Sequence, residues 1–296
     1  MVSFLTFAYN EGKFIEEAIK SVLQISEEIE FVLVDDNSND NTWEIMTKYE
    51  VLDSRVKAYK NPKKGKNSAV NCGMSHCNGD WVMILGGDDI LEAQNYSFFA
   101  NEMKKHNPLE EQVFIGGLVR RFTNSERFMS ENGVLNSFPR KSEHRACTNG
   151  FASRKAINNI YPIPEEYPNE DSWTAMYYYY FCDSLINIPV VCLNYRIHEN
   201  NSLNHNDEDF KKYSYSLHIR SNQQLDFIER YGHLLSDKDT KYLINQYKAE
   251  DYRYRKKYIR LLFSRISFAE KTRMLLNSNK FLKKLKYKMT RIAQHK

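Results

Sequence analysis

Apolar residues fall into two rhythms along the first hundred positions. Short apolar runs at Val2–Phe7, Phe31–Val34, Val56–Tyr59 and Trp81–Leu85 read as buried strands, and the spacing between them lengthens to that of helices. Glu11–Leu23 places Phe14, Ile15, Ala18, Ile19 and Val22 on one helical face, and Asn41–Tyr49 and Ser68–Ser75 continue the alternation. Strands and helices alternating at this interval predict βαβ units: an α/β fold with a mostly parallel sheet flanked by helices. Val113–Val119 adds a strand, and a polar, turn-rich stretch follows to about Thr148. Ala152–Asn159 and Ser172–Cys182 are predicted helical, Leu185–Ile197 strand-like. Beyond Asp207 the pattern is almost wholly helical, so we expect a body over 1–205 and a helical extension over 206–296.

Composition and charge alter this picture in two places. The five cysteines are an odd number without a C-x-x-C pair, which suggests neither a disulfide framework nor a zinc site and fits a reducing cytoplasm. The chain enters its first strand without a basic leader or signal core, and no stretch approaches the ~20 apolar residues of a membrane span. The total charge of +4 conceals a segregation: residues 253–296 carry fifteen Lys and Arg against Glu270 alone, a net of +14 that leaves −10 on the remainder. A basic extension on an acidic body predicts an anionic partner surface. Within it, Lys280–Lys296 sets Phe281, Leu282, Leu285, Met289 and Ile292 at helical spacing among lysines and arginines, the composition of an amphipathic helix in an anionic membrane interface. The expected location is cytoplasmic, peripheral on the inner membrane face. No groove-reading or base-stacking module points to nucleic acid.

Three loops after predicted strand ends carry candidate chemistry, and in an open α/β sheet such loops lie side by side. Ala8-Tyr9-Asn10-Glu11 offers an aromatic ring able to stack on a flat heterocycle, with Asn10 and Glu11 beginning the next helix. Asp35-Asp36-Asn37-Ser38 offers carboxylates able to accept from a base N–H or ribose hydroxyls. It is not a calcium loop, since Asp40 and Met46 stand where that loop needs glycine and glutamate. Gly86-Gly87-Asp88-Asp89 ends an apolar strand in two acids, hard oxygen donors suited to a divalent cation bridging phosphates. The aromatic run Tyr177–Phe181 covers every face of a helix and is read mainly as core filling.

Taken together, Val2–Glu11, Val34–Ser38, Gly65–Gly73 and Gly79–Asp89 resemble the family 2 glycosyltransferases of the GT-A fold, in motif order and spacing, over about the first ninety residues. The resemblance implies an inverting, metal-dependent enzyme of bacterial surface-polysaccharide type. It would move a sugar from a nucleotide diphosphate sugar, most often UDP-linked, to a hydroxyl of a glycan or lipid-linked acceptor. It implies a donor-binding half over 1–110 and an acceptor-binding half over 111–205. Tyr9 would flank uracil, Asp36 would hydrogen-bond it, and Phe7 and Lys66 would lie near base or diphosphate. Asp88 would approach ribose and metal, with Asp89 as the direct ligand of Mn2+ or Mg2+. Gly86 stands where the family often has a further acid, leaving fewer protein ligands. Asn169-Glu170-Asp171-Ser172-Trp173 resembles the family's Glu-Asp pair at a helix start, with Asp171 rather than Glu170 as the base. Tyr195-Arg196-Ile197-His198 resembles its Y-R-x-H segment, and His198 would complete the metal shell.

Two other readings make this a degenerate, membrane-bound scaffold, motivated by Gly86, or a sugar-phosphate nucleotidyltransferase. The latter requires a glycine-rich loop after the first strand, which Ala8–Glu11 is not, and no G-x-G-x-x-G motif supports a dinucleotide oxidoreductase.

Overall fold

The apolar runs become strands in the computed structural model of the protein, which describes residues 1–123, 133–136, 149–198 and 210–284. β1 (Val2–Ala8), β2 (Ile29–Asp35), β3 (Val56–Lys60) and β4 (Trp81–Gly86) form the parallel half of a sheet in the order β3-β2-β1-β4. Phe4, Leu5, Phe31, Val32, Leu33, Val82 and Met83 are all buried, so these strands are covered on both faces and need no polar alternation. The crossovers contain α1 (Ile15–Leu23), α2 (Thr42–Leu52) and α3 (Lys66–Met74). α1 starts four residues later than its periodicity suggests. Residues before it turn instead, with the Phe14 and Ile15 amides donating to the Glu11 carbonyl, after Asn10 takes the left-handed conformation at φ 56°.

The second half of the sheet is mixed. After β5 (Ile90–Leu91) and α4 (Tyr96–Met103) come β6 (Val113–Phe122), β7 (Gly133–Asn136), β8 (Gly150–Ser153), α5 (Arg154–Ile160), α6 (Asp171–Phe181) and β9 (Ser184–Arg196). The helix expected from Ala152 begins only at Arg154. Residues 150–153 are β8, a strand too short for period two to register, and Ser153 ends it by accepting from the Ala156 amide as the cap of α5. The path continues β4-β8-β6-β9-β5, with β7 on β6. β8 is antiparallel to β4 and to β6, so two reversals restore the direction, and β9 pairs with β6 in parallel. The C-terminal ends of β1, β2, β4 and β9 therefore share one edge of the sheet.

α3 packs directly on β1 and β2 because Gly73 lacks a side chain. A Cβ there would stand 2.2 Å from Leu5 Cδ1 and 2.8 Å from Val34 Cγ2, both fully buried. We expect Gly73→Ala to lower unfolding free energy by about 1–3 kcal/mol, the usual cost of overpacking a filled core. Denaturant titration of the two proteins measures it, and an unchanged midpoint refutes the packing argument. In α6, Tyr177 and Tyr178 are buried and Tyr178 stacks on Phe114 at 4.4 Å, while Tyr179 and Tyr180 are partly exposed.

The chain divides into two units, Met1–Ser202 and Leu203–Lys296. The second contains α7 (Phe210–Tyr231), α8 (Asp237–Tyr254), α9 (Tyr258–Leu262) and α10 (Phe268–Leu276). Its interior is held partly by polar groups: the buried Arg253 guanidinium pairs with Glu250 at 2.6 Å and donates to Ser214 and to the Asn277 carbonyl at 3.0 Å. Ser267 and Glu270 form a capping box on α10. Among the described residues no helix is long and apolar enough to cross a membrane. Residues 280–284 of the expected amphipathic tail helix are helical, and 285–296 lie outside the described residues. The four cysteines among the described residues are free.

Candidate active site

The loops after β1 and β2 are stitched to each other. The Asn10 amide donates to Ser38 Oγ at 2.9 Å, the Asn39 amide to Asn10 Oδ1 at 2.8 Å, and the Glu11 amide to Thr42 Oγ1 at 2.9 Å. The two acids ending β2 then part. Asp35 is buried and accepts from the Ser38 amide, closing the turn in which Asn37 sits at φ 61°. Asp36 faces the other way, accepting from Asn61 Nδ2 at 2.7 Å and from the Gly65 amide at 2.8 Å. It is thereby fixed beside the N-terminus of α3. Tyr9 lies at the rim, 41% exposed, with Lys64 Nζ donating to its hydroxyl at 2.9 Å and 4.1 Å from its ring centroid. That hydrogen bond and charge lower the Tyr9 pKa. Phe7, the last strand residue before Ala8, lies with the Lys66 ammonium 5.2 Å from its ring.

The adjacent acids after β4 also part, and β9 decides how. The amide of Arg196 donates to Asp89 Oδ1 at 3.0 Å, and its guanidinium to the Asp88 carbonyl at 2.9 Å and to Glu17 at 2.8 Å. Arg196 is buried between the rings of Phe14 and Phe122, at 4.9 and 4.8 Å. Asp89 thus lies beneath the lip, where burial first and Asp88 second raise its pKa well above the carboxylate range. Asp88 instead meets His198, with Oδ2 2.9 Å from Nε2. Glu11 joins them: a carboxylate oxygen from each acid and an imidazole nitrogen lie within 4.8 Å of one another. Burial, then the nearby Asp88, pushes Glu11 to about 7. The two carboxylates supply the hard oxygens that Mn2+ or Mg2+ takes, and the imidazole suits the softer Mn2+ better.

This set differs from the expected one, Asp88, Asp89 and His198, by taking Glu11 and setting Asp89 behind. Gly86 has a steric reason here, since a Cβ would stand 2.8 Å from Asp88 Oδ1 and 3.0 Å from Asp89 Oδ2. The apolar periodicity places Glu11 in the first turn of a helix, but α1 starts only at Ile15 and leaves Glu11 in the loop after β1. Arg196 stands in the Y-R-x-H-like segment that ends a strand, and its hold on Asp89 and on the Asp88 carbonyl comes only with the folded sheet.

Facing this cluster across Lys66 are Glu170 and Asp171. Asn71 holds the segment preceding them by exchanging two hydrogen bonds with Ile163, at 2.8 and 2.9 Å, and Asn67 donates to the Pro164 carbonyl at 2.7 Å. Lys66 Nζ lies 2.9 Å from Glu170 Oε2 and 4.0 Å from Asp171 Oδ1. Burial opposes the Lys66 charge, but the two acids overcome it and raise its pKa. Asp171, the first residue of α6, has a side chain 36% exposed against 11% for Glu170.

Burial, then the Asp171 charge, pushes Glu170 to about 7 against the pull of Lys66. A carboxyl raised in this way stays protonated in the folded chain after the unfolded chain has released its proton. Its contribution to stability therefore falls as pH rises from about 4.5 to 7 and is gone above that. Glu170→Gln cannot titrate, so the Tm difference between this variant and the parent should grow in the variant's favour from pH 5 to 8. Thermal scans across that range check this, and a pH-independent difference contradicts it.

The model of the family described as Glycosyl transferase family 2 matches residues 3–159. The chain is 35% identical over 94 residues to Glycosyltransferase GlyG of Streptococcus pneumoniae, covering 31% of each. It is 32% identical over 108 residues to poly-beta-1,6-N-acetyl-D-glucosamine synthase of Staphylococcus aureus, covering 36% of this chain and 26% of that one. The chain thus matches only about a third or less of the length of these curated relatives. Its fold is similar to that of S. aureus TarS 1–349 solved with UDP-GlcNAc, with TM-score 0.62 and 15% identity over 94% of this chain and 79% of that one. Mannosyltransferase PcManGT of Pyrobaculum calidifontis, solved with GDP-Man and Mn2+, aligns with TM-score 0.55 and 15% identity over 96% of this chain and 86% of that one. The GT-A expectation for the fold holds.

Proposed function

The chain belongs to glycosyl transferase family 2, and from that premise we propose that it is a glycosyltransferase carrying out an inverting, metal-dependent transfer of sugar from a UDP-sugar to a hydroxyl of a glycan or lipid-linked acceptor. The observation that carries this reading is the meeting, on one strand edge, of three groups: the Asp36 cradle, the Glu11–Asp88–His198 cluster and the Lys66–Glu170–Asp171 triplet. The UDP-GlcNAc bound by TarS and the GDP-Man bound by PcManGT support a nucleotide-sugar donor. The named synthase relative supports polysaccharide building.

In this reading residues 1–110 bind the donor and 111–205 the acceptor. Tyr9 and Phe7 flank the base, Asp36 accepts from it, and Lys66 lends positive charge near the diphosphate. Asp88, His198 and Glu11 hold Mn2+ or Mg2+, and Asp89 fixes the turn that presents Asp88. A divalent ion there supplies the positive charge that stabilises the departing nucleotide diphosphate. Asp171 takes the proton of the acceptor hydroxyl as its oxygen attacks the anomeric carbon opposite the breaking C–O bond, which inverts that centre. Lys66 lies against Glu170, the more buried acid, at 2.9 Å, which leaves the more exposed Asp171 to meet the acceptor. The basic tail holds the enzyme to the anionic inner face of the cell membrane, without nucleic acid as a partner.

Calorimetry with UDP, with and without Mn2+, tests the reading, followed by hydrolysis of a panel of nucleotide sugars. Metal-dependent UDP binding and turnover of one donor are expected. Absence of both would sink it.

A further inference from the structure

Exposed apolar side chains cluster at one corner of the C-terminal unit. Ile259 (74%), Leu262 (52%) and Phe263 (84%) stand at i, i+3 and i+4 on and just after α9, opposite the buried Leu261. Phe268 (85%) follows at the start of α10. Such side chains in water within ten positions mark a docking face rather than a core.

The surrounding charge says what docks there. From Tyr252 to Ala269 the sequence contains no acid. Lys256, Lys257, Arg260 and Arg265 are exposed, and among the described residues none of them is ion-paired. Lys256, Lys257 and Arg260 also line, with Tyr258 and Ile259, an open depression of about 340 Å³. The left-handed backbone at Lys256, φ 56°, and the start of α9 at Tyr258 turn the chain where these cations and Ile259 share that depression.

We propose that this corner is a membrane-docking surface, seating Ile259, Leu262, Phe263 and Phe268 in the interface of an anionic bilayer while Lys256, Lys257 and Arg260 meet lipid phosphates. Aromatic and aliphatic side chains inserted shallowly beneath a ring of cations are the composition that binds such interfaces, through apolar burial plus attraction to anionic lipid. The inference rests on the membrane reading of the basic C-terminal region, and it adds to the tail a second, folded anchor that precedes it in sequence. A rigid corner fixes the orientation of its unit on the membrane, which a single amphipathic segment does not.

The test is cosedimentation of the full chain with vesicles of phosphatidylcholine alone or mixed with phosphatidylglycerol at roughly 7:3. The parent protein should bind only the anionic vesicles, and less at high salt. Phe263→Ser/Phe268→Ser and Lys256→Glu/Lys257→Glu/Arg260→Glu should each weaken binding at least about tenfold, with circular dichroism and Tm unchanged because every altered side chain is exposed. Parent-level binding by both corner variants overturns the inference. If Lys280→Glu/Lys283→Glu/Lys284→Glu alone abolishes binding, the membrane reading survives and the corner does not. A parent that binds no vesicle overturns both. Sedimentation velocity showing a dimer that Phe263→Ser/Phe268→Ser dissociates, without vesicle binding, assigns the corner to a second copy and also overturns it.

Discussion

Asp171→Asn should abolish most sugar transfer while leaving donor binding intact. Loss of a general base costs about 10²–10⁴-fold in rate, and the amide is isosteric with the carboxylate it replaces. Asp171 begins α6, and the segment leading to it is tethered to α3 through Asn67 and Asn71, so no rearrangement should accompany the change. Two measurements separate a chemical from a structural defect: kcat for transfer should fall, and the affinity for UDP with Mn2+ should stay within about twofold of the parent, since Asp171 is proposed to touch only the acceptor. Glu170→Gln should lose less activity, because Glu170 is the more buried of the two acids and its Oε2 lies against Lys66 at 2.9 Å rather than open to an acceptor. If Asp171→Asn retains more than a tenth of the parent rate, or Glu170→Gln is the slower variant, the assignment of the base is wrong.

The second large effect should distinguish two identical neighbours. Asp88→Asn should weaken Mn2+-dependent UDP binding by at least about 100-fold, because outer groups around a metal already cost 10–100-fold and Asp88 is proposed to bind the ion directly. Its fold should survive, since the Asp88 side chain meets His198 near the cluster rather than filling the core. Asp89→Ala should act on stability instead. It removes a buried acceptor and strands the Arg196 amide, at a cost of about 1–3 kcal/mol. Calorimetry and thermal denaturation of both variants decide the matter. An Asp89→Ala protein of parental Tm that no longer binds Mn2+ would return the role of direct ligand to Asp89.

Much of the fold was legible because parallel strands covered on both faces must be apolar throughout. The runs at Phe31–Val34 and Trp81–Leu85 need no partner to be recognised. β5 and β8 escaped because two and four residues cannot display a period. α4 does carry a sequence signal: Tyr96, Phe99 and Met103, all buried, stand at helical spacing. At the site, Asp36, Asp88 and His198 were legible as polar residues at the ends of apolar runs. Glu11 was hidden by the continuous helical pattern that follows it, although the left-handed Asn10 and the turn at Glu11 expel it from that helix.

The amino-acid pattern alone picks out the strand ends that bear candidate polar groups, and a C-terminal region that is basic and helical. Both depend on local composition, which any conformation of the chain retains. The partner that each acid meets is set by the folded sheet. Asp88 and Asp89 are the same residue in neighbouring positions, and what separates them is the end of β9 and the residues just after it, whose Arg196 amide and His198 ring arrive from 107 and 110 residues away. One carboxylate becomes a buried acceptor and the other stands beside an imidazole, because a sheet edge is assembled from strands remote in sequence. No window of neighbouring residues contains that partner.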